Sequence, residues 1–386
     1  MKRQLLGVAA ILLSISTYAQ DNPLWMRYCA ISPDGTTIAF TYKGDIYTVP
    51  STGGRASQIT TNPAHDTKPI WSPDGKKIAF ASDRMGSMDI FEVNKEGGIP
   101  KRLTTHSGNE TPVAYKDAGH ILFLANIMPT AEDAQFPSGQ FQQVYEVNTE
   151  GGRPILFSSM PMEDISINHT GNTLLYHDKK GYEDPWRKHH TSSITRDIWL
   201  CSLNGNRTFR KQTAFNGEDR TPVWASDDKS FYYLSEEKGS FNIFKRDIDG
   251  NTSKQITNHT KHPVRFLSAA SNGTLCYGYD GEIYTVKEGA IPQKVQISIV
   301  TDKNDKDLIR QIKRSGATEI SLSPDAKEIA FVLRGDVYVT STEYSTTKQI
   351  TPILRNRNAI FTFLRTEEVL FTLPKETDYG RFIKPV

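Results

Sequence analysis

The chain has 386 residues, 37% of them hydrophobic and 23% charged, with a formal net charge of +2. Lys2 and Arg3 belong to a targeting segment. Without these two the 46 basic residues become 44, matching the 44 acidic ones, which argues against a nucleic-acid or membrane-surface partner. The three cysteines, Cys29, Cys201 and Cys276, are too few and too scattered for a disulfide framework or a zinc site.

In chain order, residues 1–20 come first. A positive start, an apolar stretch over residues 5–15 and the small-x-small pattern Thr17-Tyr18-Ala19 predict a signal peptide. Its apolar part is too short to span a bilayer, so the expectation is export to the periplasm or the cell exterior, without membrane insertion. A repeat follows, clearest at Ile31-Ser32-Pro33-Asp34-Gly35 and Trp71-Ser72-Pro73-Asp74-Gly75. Each copy reads as an apolar strand, an S-P-D-G turn, a second strand, a D-I-Y or D-I-F strand, a Gly-Gly turn and a short strand ending in Leu/Ile-Thr. Aligned on the turn aspartate or its substitute, the copies fall at Asp34, Asp74, Asp117, Thr170, Asp227, Ser271 and Asp325. A period of about forty residues with only strand and turn signals predicts an all-β propeller.

The pattern assigns a six-bladed β-propeller to residues 21–298, a linker to 299–316, and the incomplete start of a second propeller to 317–386. That last segment holds one intact blade, 317–351, and a degraded one. Each blade of the first ring has four contiguous strands. The expectation is therefore closure by face packing of the first blade on the sixth, with no ladder hydrogen bonds across the seam. With two units and no third to cover them, the 317–386 segment is expected to be loosely held and open to protease.

Catalytic motifs are missing: there is no G-x-S-x-G elbow, H-E-x-x-H helix, C-x-x-C pair or phosphate loop. No cofactor and no metal site is expected, and Asp302-Lys303-Asn304-Asp305-Lys306-Asp307 departs from the calcium-loop pattern at Lys306. Two groups remain as substrate-binding candidates. The first is the insert Trp186-Arg187-Lys188-His189-His190, which either packs Trp186 on its own blade or reaches the channel or a neighbouring domain to hold an acidic group such as a peptide carboxylate. The second is positional. Segments joining one blade to the next place Asp66, Glu110, Glu163 with Asp164, and Glu218 with Asp219 at one rim. They either cap turns and pair locally with Lys68 and Arg220, or form an acidic collar that sorts peptides by charge.

Asn22-Pro23-Leu24-Trp25, Tyr42-Lys43-Gly44-Asp45-Ile46-Tyr47, the insert from Trp186 to Ser193, His262-Pro263-Val264-Arg265-Phe266-Leu267 and Gly316-Ala317-Thr318-Glu319 resemble the first propeller, and the entry into the second, of bacterial tricorn-like serine proteases. The resemblance runs from residue 21 to 352; beyond it the pattern stops abruptly, as in a frameshifted or truncated reading frame. It implies propellers that gate peptides for downstream catalytic domains carrying a serine nucleophile, none of whose residues can be carried onto this chain. The expected function is thus a non-catalytic propeller of an exported protease, binding peptides or unfolded protein and inactive alone, with self-association left open. The alternative is a free-standing periplasmic interaction propeller of the TolB type.

Overall fold

The computed structural model describes residues 23–126, 141–181, 184, 186–187, 194–300, 315–333, 336–344 and 347–350, and the backbone of the strands Ile360–Phe363, Val369–Thr372 and Phe382–Ile383. The chain divides into two compact units, Met1–Lys306 and Asp307–Val386. Strands and turns make up both, with no helix among the described residues.

In the first unit six antiparallel four-stranded sheets, numbered 1 to 6 here, follow one another along the chain. Their first strands, the inner strands, are Arg27–Ile31, Asp66–Trp71, Glu110–Asp117, Met162–Ile167, Asp219–Trp224 and Arg265–Ala269. Second strands such as Thr37–Tyr42 and Lys77–Ser82 carry Ile-Ala-Phe, and all three residues of each copy are fully buried. Alternation sends Phe40 and Ile38 to one face and Ala39 to the other, so each sheet is apolar on both sides. The core is accordingly divided into wedges between neighbouring sheets. Ile46 of sheet 1 packs with Ile78 and Phe91 of sheet 2; Ile90 of sheet 2 with Phe123 and Tyr145 of sheet 3. Leu124 meets Tyr176 between sheets 3 and 4, and Ile198 meets Phe244 between sheets 4 and 5. Ile243 and Tyr277 join sheets 5 and 6, and a last wedge joins Cys276 and Ile283 of sheet 6 to Ile31, Phe40 and Tyr47 of sheet 1. The three cysteines are buried free thiols.

The turn aspartates act through hydrogen bonds. Asp34 Oδ1 accepts from the Ser32 hydroxyl at 2.6 Å and from the Thr36 N–H at 3.0 Å, and these bonds hold its carboxyl below the usual range. Asp74 and Asp325 repeat the arrangement with Ser72 and Ser323. The Thr that ends four of the six copies also has a fixed task. The Oγ1 of Thr60, Thr104, Thr213 and Thr257 accepts from the N–H of Ile46, Ile90, Ile198 and Ile243, each at 2.9–3.0 Å.

The seam departs from the sequence expectation. A short strand, Ile297–Ser298, runs parallel to Gly54–Arg55, so ladder hydrogen bonds do cross from the end of sheet 6 to sheet 1. Gly54 N–H donates to Gln296 O at 2.8 Å and Ala56 N–H to Ser298 O at 2.9 Å. Gly53 makes this approach sterically open: its φ is +92°, and a Cβ there would lie 2.6 Å from Gln296 O. Main-chain groups of a turn do the ladder pairing, with the Ser298 hydroxyl donating to Gly54 O at 3.5 Å, so the sequence pattern does not announce it.

The second unit contains a four-stranded sheet, Ala317–Leu322, Glu328–Leu333, Asp336–Ser341 and Thr347–Gln349, and a three-stranded one, Ile360–Phe363, Val369–Thr372 and Phe382–Ile383. Val332 and Val337 are buried, whereas Ile320 and Leu322 are 70% and 54% exposed. Residues 301–314 of the expected linker lie outside the described residues.

Candidate functional site at one edge of the ring

In a four-stranded antiparallel sheet, alternate connections emerge at the same end. The S-P-D-G turns and the Gly-Gly turns share one edge of the array. The links between second and third strands, and those from one sheet to the next, share the other. Two long links depart from this second edge, one between His120–Ala125 and Gln143–Asn148 and one between Thr173–Asp178 and Ile198–Ser202. The exposed apolar residues Trp25, Met85 and Trp186 stand on it too.

Near this edge each inner strand carries a β-bulge, one residue more than its partner strand, at an equivalent position. The residue at the bulge is Tyr28, Lys68, Asp164, Thr221 and Phe266 in sheets 1, 2, 4, 5 and 6, with φ of +52°, +53°, +48°, +52° and +56°. Sheet 3 has Pro112 in this place, whose ring holds φ near −65° and forbids the left-handed region. A left-handed non-glycine residue costs about 1–2 kcal/mol, and repeated strain of this kind clusters where side chains must be aimed. Here the side chains converge. Tyr28 and Phe266 rings lie 4.9 Å apart, Lys68 Nζ lies 5.7 Å from the Tyr28 ring, and Thr221 Oγ1 donates to Asp164 Oδ2 at 2.6 Å. Burial draws the Lys68 ammonium down, with the charges of Asp164 and Glu163 opposing it. Burial likewise lifts the Tyr28 hydroxyl. Lys68 enters no ion pair among the described residues.

The insert of sheet 4 crosses to this cluster. Trp186 stacks edge-on against Phe266 at 5.9 Å, with the guanidinium groups of Arg27 and Arg265 at 4.9 Å and 5.2 Å from its ring. It therefore contacts sheets 6 and 1, with which sheet 4 shares no core wedge. Arg187 anchors it. This side chain is buried, donates to Glu218 Oε2 at 2.7 Å and Glu236 Oε2 at 2.8 Å, and lies over the Phe241 ring. Arg265 donates to the carbonyls of Trp186 and Arg187 at 2.9 Å and 3.1 Å. Glu218 is shared by Arg187, Arg196 at 2.8 Å and Arg220 at 3.6 Å. Burial pushes its carboxyl up, but the arginines outweigh it and hold it low. Burial, aided by the charges of Arg265 and Arg196 and opposed by Glu218 and Asp164, lowers Arg220 to about 10. Of the remaining insert candidates, Lys188, His189 and His190 lie outside the described residues.

The rim carboxylates do not stand together at the surface. Asp66 is fully buried and held by both oxygens on Arg84 at 2.9 Å, rather than by Lys68. Glu110 and Asp219 are 0% and 1% exposed, and burial pushes each carboxyl up to about 7. Glu163 is enclosed by His177 at 3.2 Å and Lys179 at 2.6 Å. Asp164 alone among the nominated rim residues is exposed, because the bulge turns it outward. Tyr28, Lys68, Thr221 and Phe266 had no motif of their own. Their signal is register: each lies five or six residues before the turn residue of its copy.

A family model described as the tricorn protease N-terminal beta propeller domain matches residues 23–290. The chain belongs to that family. Tricorn protease homolog 1 of Streptomyces coelicolor is 25% identical over 344 residues, covering 87% of this chain and 31% of its own length. A tricorn protease homolog of Saccharolobus solfataricus is 27% identical over 295 residues, covering 73% of the chain and 26% of its own length. The crystal structure of the tricorn protease superposes with a TM-score of 0.67 at 21% identity, covering 90% of this chain and 33% of that one. The propeller fold is thereby shared, and the chain spans about a third or less of the length of these three relatives.

Proposed function

We propose that this chain is the non-catalytic propeller portion of an exported tricorn-like serine peptidase, and that it binds and gates peptides at the ring edge carrying Trp186. In this reading the six sheets are the blades of one ring and residues 1–20 are the export signal. The single observation that carries it is the position of Trp186. The residue is 43% exposed, is held by a buried Arg187, and lies against Arg27, Arg265 and Phe266 from the far side of the array. Apolar peptide side chains find Trp186, Tyr28 and Phe266. A peptide carboxylate finds Arg27 and Lys68, neither of which is spent on an ion pair among the described residues. Arg187 is a positioning residue, since Glu218 and Glu236 occupy its guanidinium.

The test is fluorescence anisotropy with labelled peptides of free and amidated C-terminus, titrated with the full chain. Trp186→Ala should weaken binding about 30-fold, the cost of losing a central aromatic anchor of ~2 kcal/mol. Arg27→Ala should erase the preference for the free carboxylate. Unchanged affinity in Trp186→Ala would remove the reading. The purified chain should hydrolyse none of these peptides, and N-terminal sequencing of the exported protein should begin near residue 21.

A further inference from the structure

Two of the three cysteines meet across the seam between sheets 6 and 1. Cys29 lies on the inner strand of sheet 1 and Cys276 on the second strand of sheet 6, Leu275–Tyr279, and both belong to the wedge joining the two sheets. One side chain bridges their backbones. The Ser268 hydroxyl lies 3.4 Å from the carbonyl oxygens of both Cys29 and Cys276, and it accepts from the Ile31 N–H at 3.0 Å. The thiols themselves are in contact. Cys29 donates to the Phe266 carbonyl at 3.5 Å, which leaves its sulfur as an acceptor. Burial raises the Cys276 thiol most, and its hydrogen bond with Cys29 raises it further.

The repeat shows what these two positions ordinarily hold. Cys29 follows the bulge residue Tyr28, as Ile165 follows Asp164 and Leu267 follows Phe266. Cys276 precedes the aromatic of its second strand, as Ala39, Ala79, Leu122 and Tyr232 do. The same two positions share a wedge as Leu122 with Ile165 between sheets 3 and 4, and as Tyr232 with Leu267 between sheets 5 and 6. Those pairs are unreactive. The seam alone sets a cysteine on each side, and it joins the two ends of the array, which no stretch of chain connects directly. Thiols in contact need move by only about 1 Å each to reach the ~2.05 Å of a disulfide.

We propose that this pair is an oxidation site, at which Cys29 and Cys276 form a disulfide that closes the seam covalently. The two thiols give up two electrons and two protons as the S–S bond forms. A disulfide-bearing oxidant takes them and leaves as two thiols. Both sulfurs are buried, Cys29 at 4% and Cys276 at 0% exposure, so exchange proceeds while the seam is open, during folding or local opening. The bond adds a covalent link where the Ile297–Ser298 pairing and side-chain packing otherwise act alone. An exported chain, as proposed above, meets such an oxidant; the site rests on the seam and not on the peptide-gating reading.

The test starts from the reduced full chain, incubated with oxidised glutathione a few degrees below its melting temperature, then unfolded, alkylated and digested without reductant. Mass spectrometry should find the Cys29 and Cys276 peptides joined, two hydrogens lighter than the separate pair, and Cys201 alone alkylated. The linked chain should melt roughly 5 °C above the same chain after reduction, because the disulfide closes so long a loop. Cys276→Ala should lose that difference, and Ala39 and Ala79 show that the position accepts alanine. Cys201→Ala should keep it. The proposal is overturned by three alkylated cysteines, by a stable glutathione adduct in place of the link, by a bond to Cys201, by equal melting of the linked and reduced chains, or by a redox difference that survives Cys276→Ala.

Discussion

Replacing Gly53 by Ala, with Gly97→Ala beside it, isolates the contribution of the seam. Both glycines occupy the same turn position in adjacent sheets, with φ of +92° and +95°. Both substitutions carry the same left-handed strain, about 1–2 kcal/mol. They differ in what the new Cβ meets: Gln296 O at 2.6 Å for Gly53, Ile59 O at 3.6 Å for Gly97. The first distance is impossible for a carbon, so the 296–298 strand must withdraw, and the two bonds from Gly54 and Ala56 are lost or stretched. At about 1 kcal/mol each, Gly53→Ala should cost roughly 2 kcal/mol more than Gly97→Ala. In a domain of this size that is about 3 °C of additional melting shift, read by circular dichroism on the full chain. Equal shifts for the two variants would show that the parallel pairing contributes nothing, and the seam would revert to side-chain packing alone.

Three other outcomes follow from buried groups. Arg187→Ala removes two charge-assisted bonds and leaves Glu236 short of a partner, so stability should fall by about 3 kcal/mol, with Arg187→Lys recovering less than half because the planar fork is lost. An unchanged melting temperature would refute that. Glu110 has its folded carboxyl raised to about 7, so the folded state binds the extra proton. Its contribution is present below the ordinary carboxylate range and is lost as pH rises through about 7. Glu110→Gln should therefore raise the melting temperature at pH 8 more than at pH 5, and a uniform effect would contradict the assignment. Cys29, Cys201 and Cys276 are buried, and burial pushes the thiols of Cys201 and Cys276 up. A thiol reagent at pH 8 should find none of the three in the reduced native chain and all three after unfolding; fast labelling of the native protein would place a cysteine at the surface.

Sheets and turns were legible because their chemistry is local. Ser32-Pro33-Asp34-Gly35 closes its own turn through side-chain bonds within two residues, and Ile78-Ala79-Phe80 states its own alternation. The candidate site was less legible. Asp66, Glu110 and Asp219 stand at equivalent positions at the start of inner strands, which suggested a shared rim, but burial depends on partners from other strands. Arg84, eighteen residues from Asp66, turns that acid inward, and no periodicity carries this. Trp186 was nominated, yet its contacts with Arg27 and Phe266 join segments remote in sequence. The bulge residues were hidden for another reason. Their identity varies freely from Tyr to Lys to Asp, and only their register repeats.

That variation distinguishes the two edges of the array. At the S-P-D-G edge the side chains are consumed by the turns themselves, as Ser72 and Asp74 are by one another and by the backbone of Lys76 and Lys77. Little is left there to meet a ligand. At the opposite edge the fold supplies one bulge position per inner strand, and in five of the six sheets it asks of the residue there only tolerance of positive φ. An aromatic, a cation, an acid and a hydroxyl can therefore be set side by side without disturbing the repeat. Pro112 shows the limit: where φ cannot become positive, sheet 3 keeps its bulge without a left-handed residue. The strain of about 1–2 kcal/mol falls at five of the six inner strands of the first unit. The left-handed bulge residue recurs in the second unit, where Glu319 has φ +52° between Thr318 and Ile320, so the strain belongs to the repeat itself and only the identity of the residue varies.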